Sequence, residues 1–206
     1  MIQAFNTPEF QLTVYLLQAI VAVLAADLAV GITHHAMDSY GSDSCKVRFL
    51  ATIFRNNRLH HAYPKAILRH GWINNVVETG VIGAGVLAAF WALDMLTWPI
   101  LVFSFVVAMS GVVHRWQHID EDQLCGPVRA LQWLGLIQNR KQHMAHHREH
   151  NINYGIVTNV VNNVLEYTKF FRRIELLVKW ISGRVPFNLD DISRLTRKLG
   201  GPAFKH

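Results

Sequence analysis

Lysine and arginine are missing from the first 45 residues of this 206-residue chain, and again between His70 and His114. All 20 basic residues therefore fall in two blocks, six between Lys46 and Arg69 and 14 from Arg115 onward. The net charge is nevertheless +6 and the pI about 9.6. A soluble protein with that balance would be searched for a basic stripe with aromatic platforms that holds nucleic acid. The sequence has no such stripe, so nucleic acid is set aside as a partner. The stretches without basic residues are instead the apolar ones, which is the pattern of the positive-inside rule. Cysteine is scarce too. Cys45 and Cys125 lie in or beside the basic blocks, too few for a disulfide framework. They read as reduced thiols facing a cytosol-like compartment, or as small buried hydrophobes. No arginine-rich transit peptide and no cleavable signal with a basic n-region is seen, so the first apolar run is expected to stay as an anchor. With no repeat and no low-complexity tract, the chain reads as one domain over 1–206 with a polar tail over 184–206.

Residues 12–32 form an apolar run of 21 residues with one charge, Asp27. About 20 apolar residues are enough to cross a bilayer as a helix. A carboxylate is costly in lipid, so Asp27 is expected to face protein or sit near the interface. Residues 76–93 and 99–113 make a second apolar block, interrupted at Asp94, Thr97, Trp98 and Pro99. That interruption suits a tight hairpin at the far surface. The second arm is short, which leaves a re-entrant pair open, and either way the chain returns to the side it left. The fold expected is all-α and integral to the membrane, multi-pass, with three or at most four transmembrane helices. A histidine-rich helical cap would lie on the cytosol-like face. Residues 127–138 and 170–182 have helical apolar spacing near that face. For 170–182, an interfacial helix with a basic edge and an ordinary packed helix are both open. Gly80, Gly83 and Gly85 are expected to serve helix packing, or to shape a groove between spans.

The histidines carry the chemical signal. Eleven of the 12 lie in 34–70 or 114–150, both on the basic face. His34 and Asp38 are i and i+4, as are His114 and His118, so each pair shares a helical face. His143, His146 and His147 are i, i+3 and i+4, again one face. His60 and His61 are adjacent, about 100° apart on a helix, which suits two metals rather than one. A single zinc site closes with four ligands, or three plus water. His34, His60, His61, His114, His118, His143, His146 and His147 make eight, which fits a metal pair. Imidazole suits zinc, copper, iron and nickel alike, so ligand type does not choose the metal. His35, His150 and His206 are read as ordinary surface or core histidines. Transporters bind near the bilayer midplane, and these histidines lie outside the spans, which counts against transport.

Four motifs bring a family into view. Thr33-His34-His35-Ala36-Met37-Asp38-Ser39-Tyr40-Gly41 resembles H-x-x-x-D-x-(W/Y)-G. His60-His61-Ala62-Tyr63-Pro64 resembles HH-x-x-P. His114-Arg115-Trp116-Gln117-His118 resembles H-(K/R/A)-W-x-H. Leu131-Gln132, Arg140, Gln142, His143, His146, His147 and Tyr154 resemble LQ…R-x-x-H-x-x-HH…Y. Over residues 31–183 the chain is thus similar to the lipid desaturase family of plasmanylethanolamine desaturase, the bacterial CarF proteins and the plant chloroplast phosphatidylglycerol trans-desaturase. His35 stands where the family has Trp. His70 matches the plasmalogen branch, whereas Asn74-Asn75 and Asn151-Ile152-Asn153-Tyr154 match the plant branch.

The resemblance implies an oxidoreductase with two iron ions (di-iron), O2, a membrane lipid substrate and an external electron donor such as cytochrome b5 or ferredoxin. It makes the eight histidines metal ligands and Asp38 a ligand or a partner that orients one. His70 and Tyr154 join the site more weakly. The activity implied is desaturation of a lipid chain, forming either the vinyl ether of a plasmalogen or a trans acyl double bond. A di-iron lipid hydroxylase shares the chemistry, and a non-enzymatic membrane metal-binding protein is the remaining alternative. The sequence carries no signal of oligomeric state.

Overall fold

In lipid every backbone amide must be satisfied inside its own segment, so long apolar runs fold as helices. The computed structural model describes residues 7–69, 71–149 and 151–187. His70, His150, His206 and the tail beyond residue 187 lie outside the described residues. Helix α1 (Pro8–Tyr40) opens on a Thr7 side chain that accepts the Phe10 amide. It is followed by α2 (Arg48–Ala62), a 3-10 turn (Pro64–Leu68), α3 (Trp72–Ala92) and α4 (Trp98–His118). A second 3-10 turn (Glu121–Gln123) leads into α5 (Gly126–Trp133), α6 (Arg140–Arg148), α7 (Asn159–Tyr167) and α8 (Phe170–Ser182). No strand occurs among the described residues.

Helices α1, α3 and α4 are long and apolar enough to cross a membrane. The arm read as short is a full span. It begins at Trp98, with Pro99 in its first turn, and runs on to His118, 21 residues in all. At the helical rise per residue that is a length of about 31 Å. The helix continues past the apolar run, so both arms are long enough to cross and the re-entrant alternative falls away. The bend between α3 and α4 includes Asp94 in left-handed backbone (φ 55°). Two glycines let these helices meet closely. A Cβ at Gly83 would strike the Ser104 carbonyl, and one at Gly111 would strike the Asn75 carbonyl. Gly83 is thus a packing glycine, while among the described residues nothing lies within 4 Å of a Cβ at Gly85 and only the Val76 side chain within 4 Å of one at Gly80. On the far side the Trp98 indole donates to the Tyr15 carbonyl, tying α4 to α1.

The burial pattern is inverted relative to a soluble protein. Leu16, Val21, Val81 and Phe105 face outward, whereas the fully buried side chains are mostly polar, among them His118, His143, His146, Gln117, Asn162 and Asp38. That suits a lipid surround, where apolar residues need no protein cover. Asp27 faces protein. Its carboxylate accepts the Val157 and Thr158 amides at 2.9 Å each, and the Thr158 hydroxyl at 2.7 Å. The helix expected over 127–138 stops at Trp133 because Gly135 turns the chain in left-handed backbone (φ 71°). Helix α8 covers the expected 170–182.

Candidate metal centre

Each histidine motif sits on a helix that the local sequence starts or stops. Helix α6 begins with a capping box, in which Asn139 accepts the Gln142 amide and Gln142 accepts the Asn139 amide. This fixes the phase of His143, His146 and His147. Arg140 then latches α6 to the end of α4, donating to the His118 carbonyl at 2.8 Å and pairing with Asp120 at 3.3 Å. His34 and Asp38 ride on the last turns of α1, His114 and His118 on those of α4, and His60 and His61 end α2.

The eight histidines and Asp38 converge into one buried cluster with two donor groups. His60, His114, His118, His143 and His147 form the first; His34, Asp38, His61 and His146 form the second. The i,i+4 pairs stay together, but the α6 triplet is divided. His143 and His147 face the first group, and His146 turns into the second. The single face expected for all three is therefore two adjacent faces, because a step of three residues falls short of a full turn.

The donor geometry fits metal ions. Nε2 of His143 lies 2.9 Å from that of His114, 3.0 Å from that of His118 and 3.1 Å from that of His147. The His114–His118 separation is 3.2 Å. A neutral imidazole has one N–H and one lone pair. Three mutually close Nε2 atoms cannot all be satisfied by hydrogen bonds to each other, so two lone pairs or two N–H groups must face each other unless a cation sits among them as the partner of the lone pairs. Ligand atoms about 2.1 Å from an ion and at right angles to one another are about 3.0 Å apart, which matches these spacings. In the second group, Asp38 Oδ2 lies 3.0 Å from His61 Nε2, 3.2 Å from His146 Nε2 and 3.3 Å from His34 Nε2. A carboxylate among three imidazoles is a hard oxygen donor that lowers the net charge of a bound cation.

The surroundings orient these donors. His34 Nδ1 meets the Tyr154 carbonyl at 3.0 Å and His146 Nδ1 meets the Ile152 carbonyl at 2.8 Å. A carbonyl only accepts, so each Nδ1 carries the proton and each Nε2 lone pair points into the cluster. The Asn57 amide donates to the other oxygen of Asp38. Burial, reinforced by neighbouring imidazoles, holds His60, His143 and His147 well below the usual histidine pKa. Burial also lowers His146, against the opposing pull of Asp38. The neutral form that binds metal is thus the resting form.

Tyr154 lies outside both groups but is fully buried against them, its ring 4.7 Å from that of His146 and 5.7 Å from that of His34. Burial pushes its phenol well above the ordinary range. His35 is also outside, stacked on Phe171 with Nε2 3.1 Å from Glu175. Sequence reading missed Asn57, Asn162 and Gln117. The Asn162 side chain donates to the Gly155 carbonyl and accepts its amide, and Gln117 donates to the Ile156 carbonyl, so both brace the loop that orients His34 and His146. Spacing within the chain carries no mark of such contacts.

A cavity of about 320 Å³ runs from this cluster between α1, α3 and α4. His34, His60 and His114 line one end, and Ile82, Val86 and Phe103 the other. Asn75, part of the Asn74-Asn75 pair, and Glu78, which sequence reading missed, lie on its α3 wall.

Fold and site together define an integral membrane protein with a buried polyhistidine donor cluster above an apolar cavity. Residues 23–188 match the lipid desaturase domain model, and the chain belongs to that family. Fatty acid desaturase 4, chloroplastic, of Arabidopsis thaliana is 35% identical over 158 residues, covering 75% of this chain and 48% of that protein. Plasmanylethanolamine desaturase of Myxococcus xanthus is 32% identical over 197 residues, covering 91% and 68%. Plasmanylethanolamine desaturase 1 of Mus musculus is 30% identical over 186 residues, covering 83% and 67%. The chain spans about half the length of the chloroplast relatives it matches. No solved structure matches it.

Proposed function

We propose that this chain is an O2-dependent lipid desaturase of the plasmanylethanolamine type, with His60, His114, His118, His143 and His147 holding one iron and His34, Asp38, His61 and His146 the other. The observation that supports this reading is the cavity that runs from residues of both donor groups along the apolar stretches of α3 and α4. When bound, the iron pair supplies the oxidising power that, with O2, two electrons from an external donor and two protons, removes two hydrogens from adjacent methylenes and yields two waters. The chain's own residues do the rest. Ile82, Val86 and Phe103 offer an apolar wall for a lipid tail. His34, His60 and His114 stand at the end of the same wall, so a methylene held there lies beside the donors. Burial of the cluster excludes bulk water from the reacting carbon. The Tyr154 and Ile152 carbonyls keep the His34 and His146 lone pairs aimed inward.

A second reading, desaturation of an acyl rather than an alkyl-ether chain, is favoured by the similarity to the chloroplast fatty acid desaturase. Lipid mass spectrometry on membranes expressing the chain, supplied with alkyl-ether lipids, phosphatidylglycerol, O2 and a competent donor, separates these. Loss of two hydrogens as a vinyl ether supports the first reading, and the same loss on an acyl chain supports the second. Gain of one oxygen identifies a hydroxylase instead. An unchanged lipid pool overturns the enzyme reading.

A further inference from the structure

The C-terminal helices are usefully placed by depth. Asp27 lies five residues, or about 7.5 Å along the helix, inside the apolar run that ends at Ile32. Its carboxylate receives the amides of Val157 and Thr158, the two residues just before α7. The loop before α7 packs on the same stretch of α1, where a Cβ at Gly31 would lie 3.1 Å from the Gly155 amide nitrogen. The chain therefore descends beside α1 into the zone occupied by its membrane span before α7 begins.

The outward surfaces of α7 and α8 match that depth. Val160, Val164 and Tyr167 repeat at i, i+4 and i+7 and are exposed, Val164 by 59% and Tyr167 by 90%. On α8, Leu176, Leu177, Trp180 and Ile181 form a second stripe, with Trp180 82% exposed. Phe171 and Glu175 are turned inward to His35. Glu166 is engaged by the Asn153 amide. The charges beside the α8 stripe are all basic, namely Arg172, Arg173 and Lys179. The backbone amides just before α7 are held by Asp27, and the Asn162 side chain exchanges hydrogen bonds with Gly155, as suits a site poor in water.

We propose that α7 and α8 form a membrane-embedded skirt in the leaflet on the histidine side, with α8 at the head-group boundary gripping anionic lipid. The partner is a lipid surface rather than a protein, because the α7 stripe follows a loop held at the depth of Asp27 and the outward charge beside the α8 stripe is basic, Glu175 being turned to His35. The assignment takes the interfacial alternative for residues 170–182. It also couples the bilayer to the metal centre, since the same loop carries the Tyr154 and Ile152 carbonyls.

The test uses the full, metal-loaded chain in phosphatidylcholine vesicles with and without phosphatidylglycerol. Nitroxide labels go at Val164→Cys, Trp180→Cys and, as an aqueous control, Lys141→Cys, each in a Cys45→Ser, Cys125→Ser background. Labels at 164 and 180 are expected to relax more with O2 than with a water-soluble nickel complex, and 141 the reverse. Replacing Arg172, Arg173 and Lys179 with Ala is expected to raise aqueous access at 180 severalfold, only with phosphatidylglycerol present. Aqueous access at 164 and 180 equal to that at 141 overturns the skirt. Shielding from both reagents overturns it in favour of a protein partner or a second copy. No dependence on phosphatidylglycerol overturns the anionic contact. If a labelled variant fails to insert, quenching by brominated phosphatidylcholine decides instead: Trp180→Phe must remove a quenched component of the tryptophan emission, and an unchanged quenched fraction overturns the proposal.

Discussion

His60 and His61 are joined by one peptide bond yet serve different donor groups. His60 faces the five-histidine group, its ring 4.9 Å from that of His114, while His61 Nε2 lies 3.0 Å from Asp38 Oδ2. The angular step between neighbours on α2 thus bridges the two halves of the cluster. Replacing either residue with Ala should remove one ligand from one group only. Metal content by elemental mass spectrometry is expected to fall from about two ions per chain toward one, with product formation lost in both variants. Full occupancy in both would remove the pair from the ligand set.

Asn57 tests the role of Asp38. Its amide donates to the carboxylate oxygen turned away from the histidines. Asn57→Leu leaves every proposed ligand in place but frees Asp38 to rotate. A loss of about 10- to 100-fold in activity or metal affinity is expected, with the protein still accumulating in membranes. An unchanged enzyme would show that Asp38 needs no such support.

Asp27 tests the clamp between α1 and α7. Asp27→Ala strands two buried amides and a hydroxyl, whereas Asp27→Asn keeps part of the contact. Destabilisation of about 2–4 kcal/mol is expected for Ala and less for Asn. Thermal unfolding in detergent measures it, and equal melting of all three proteins would refute the clamp.

The depressed histidines give the pH response a definite sign. His60, His143 and His147 stay neutral in the fold. Unfolded histidine takes up a proton near about pH 6.5. The unfolded state then binds more protons below that pH, so stability falls as pH drops through about 6.5 and is flat above it. Melting temperature and metal retention should fall together between about pH 7 and 5. The fall in melting temperature should be shallower in His147→Ala. A melting temperature that rises on acidification would contradict the burial of these rings.

The spans and the convergence of the histidines were legible because both patterns are periodic. An apolar run announces a membrane helix, and histidines at i and i+4 announce a shared face. What escaped the sequence lacks periodicity. The turn of His146 away from His143 depends on how α6 docks, and Asp27 finds Thr158 131 residues along the chain. The helix over 127–138 was overextended because apolar spacing continued past the bend at Gly135. Asn57, Asn162 and Glu78 carried no signal at all, since ordinary polar residues gain their roles only from three-dimensional neighbours.

Helix α1 is unbroken from Pro8 to Tyr40. It is about 50 Å long, against a hydrocarbon layer of about 30 Å. Tyr15 is held by Trp98 near the far surface, and His34 stands on the same rod at the cluster. Their separation along the axis is about 28 Å. The rod acts as a gauge. With its tilt unchanged, a thicker bilayer raises the near surface past the donors, and a carbon further from the head group comes level with them. A thinner bilayer leaves the donors standing proud of the tails. On the proposed function, the bond that meets the donors is set jointly by the protein and by the thickness of the membrane that holds it.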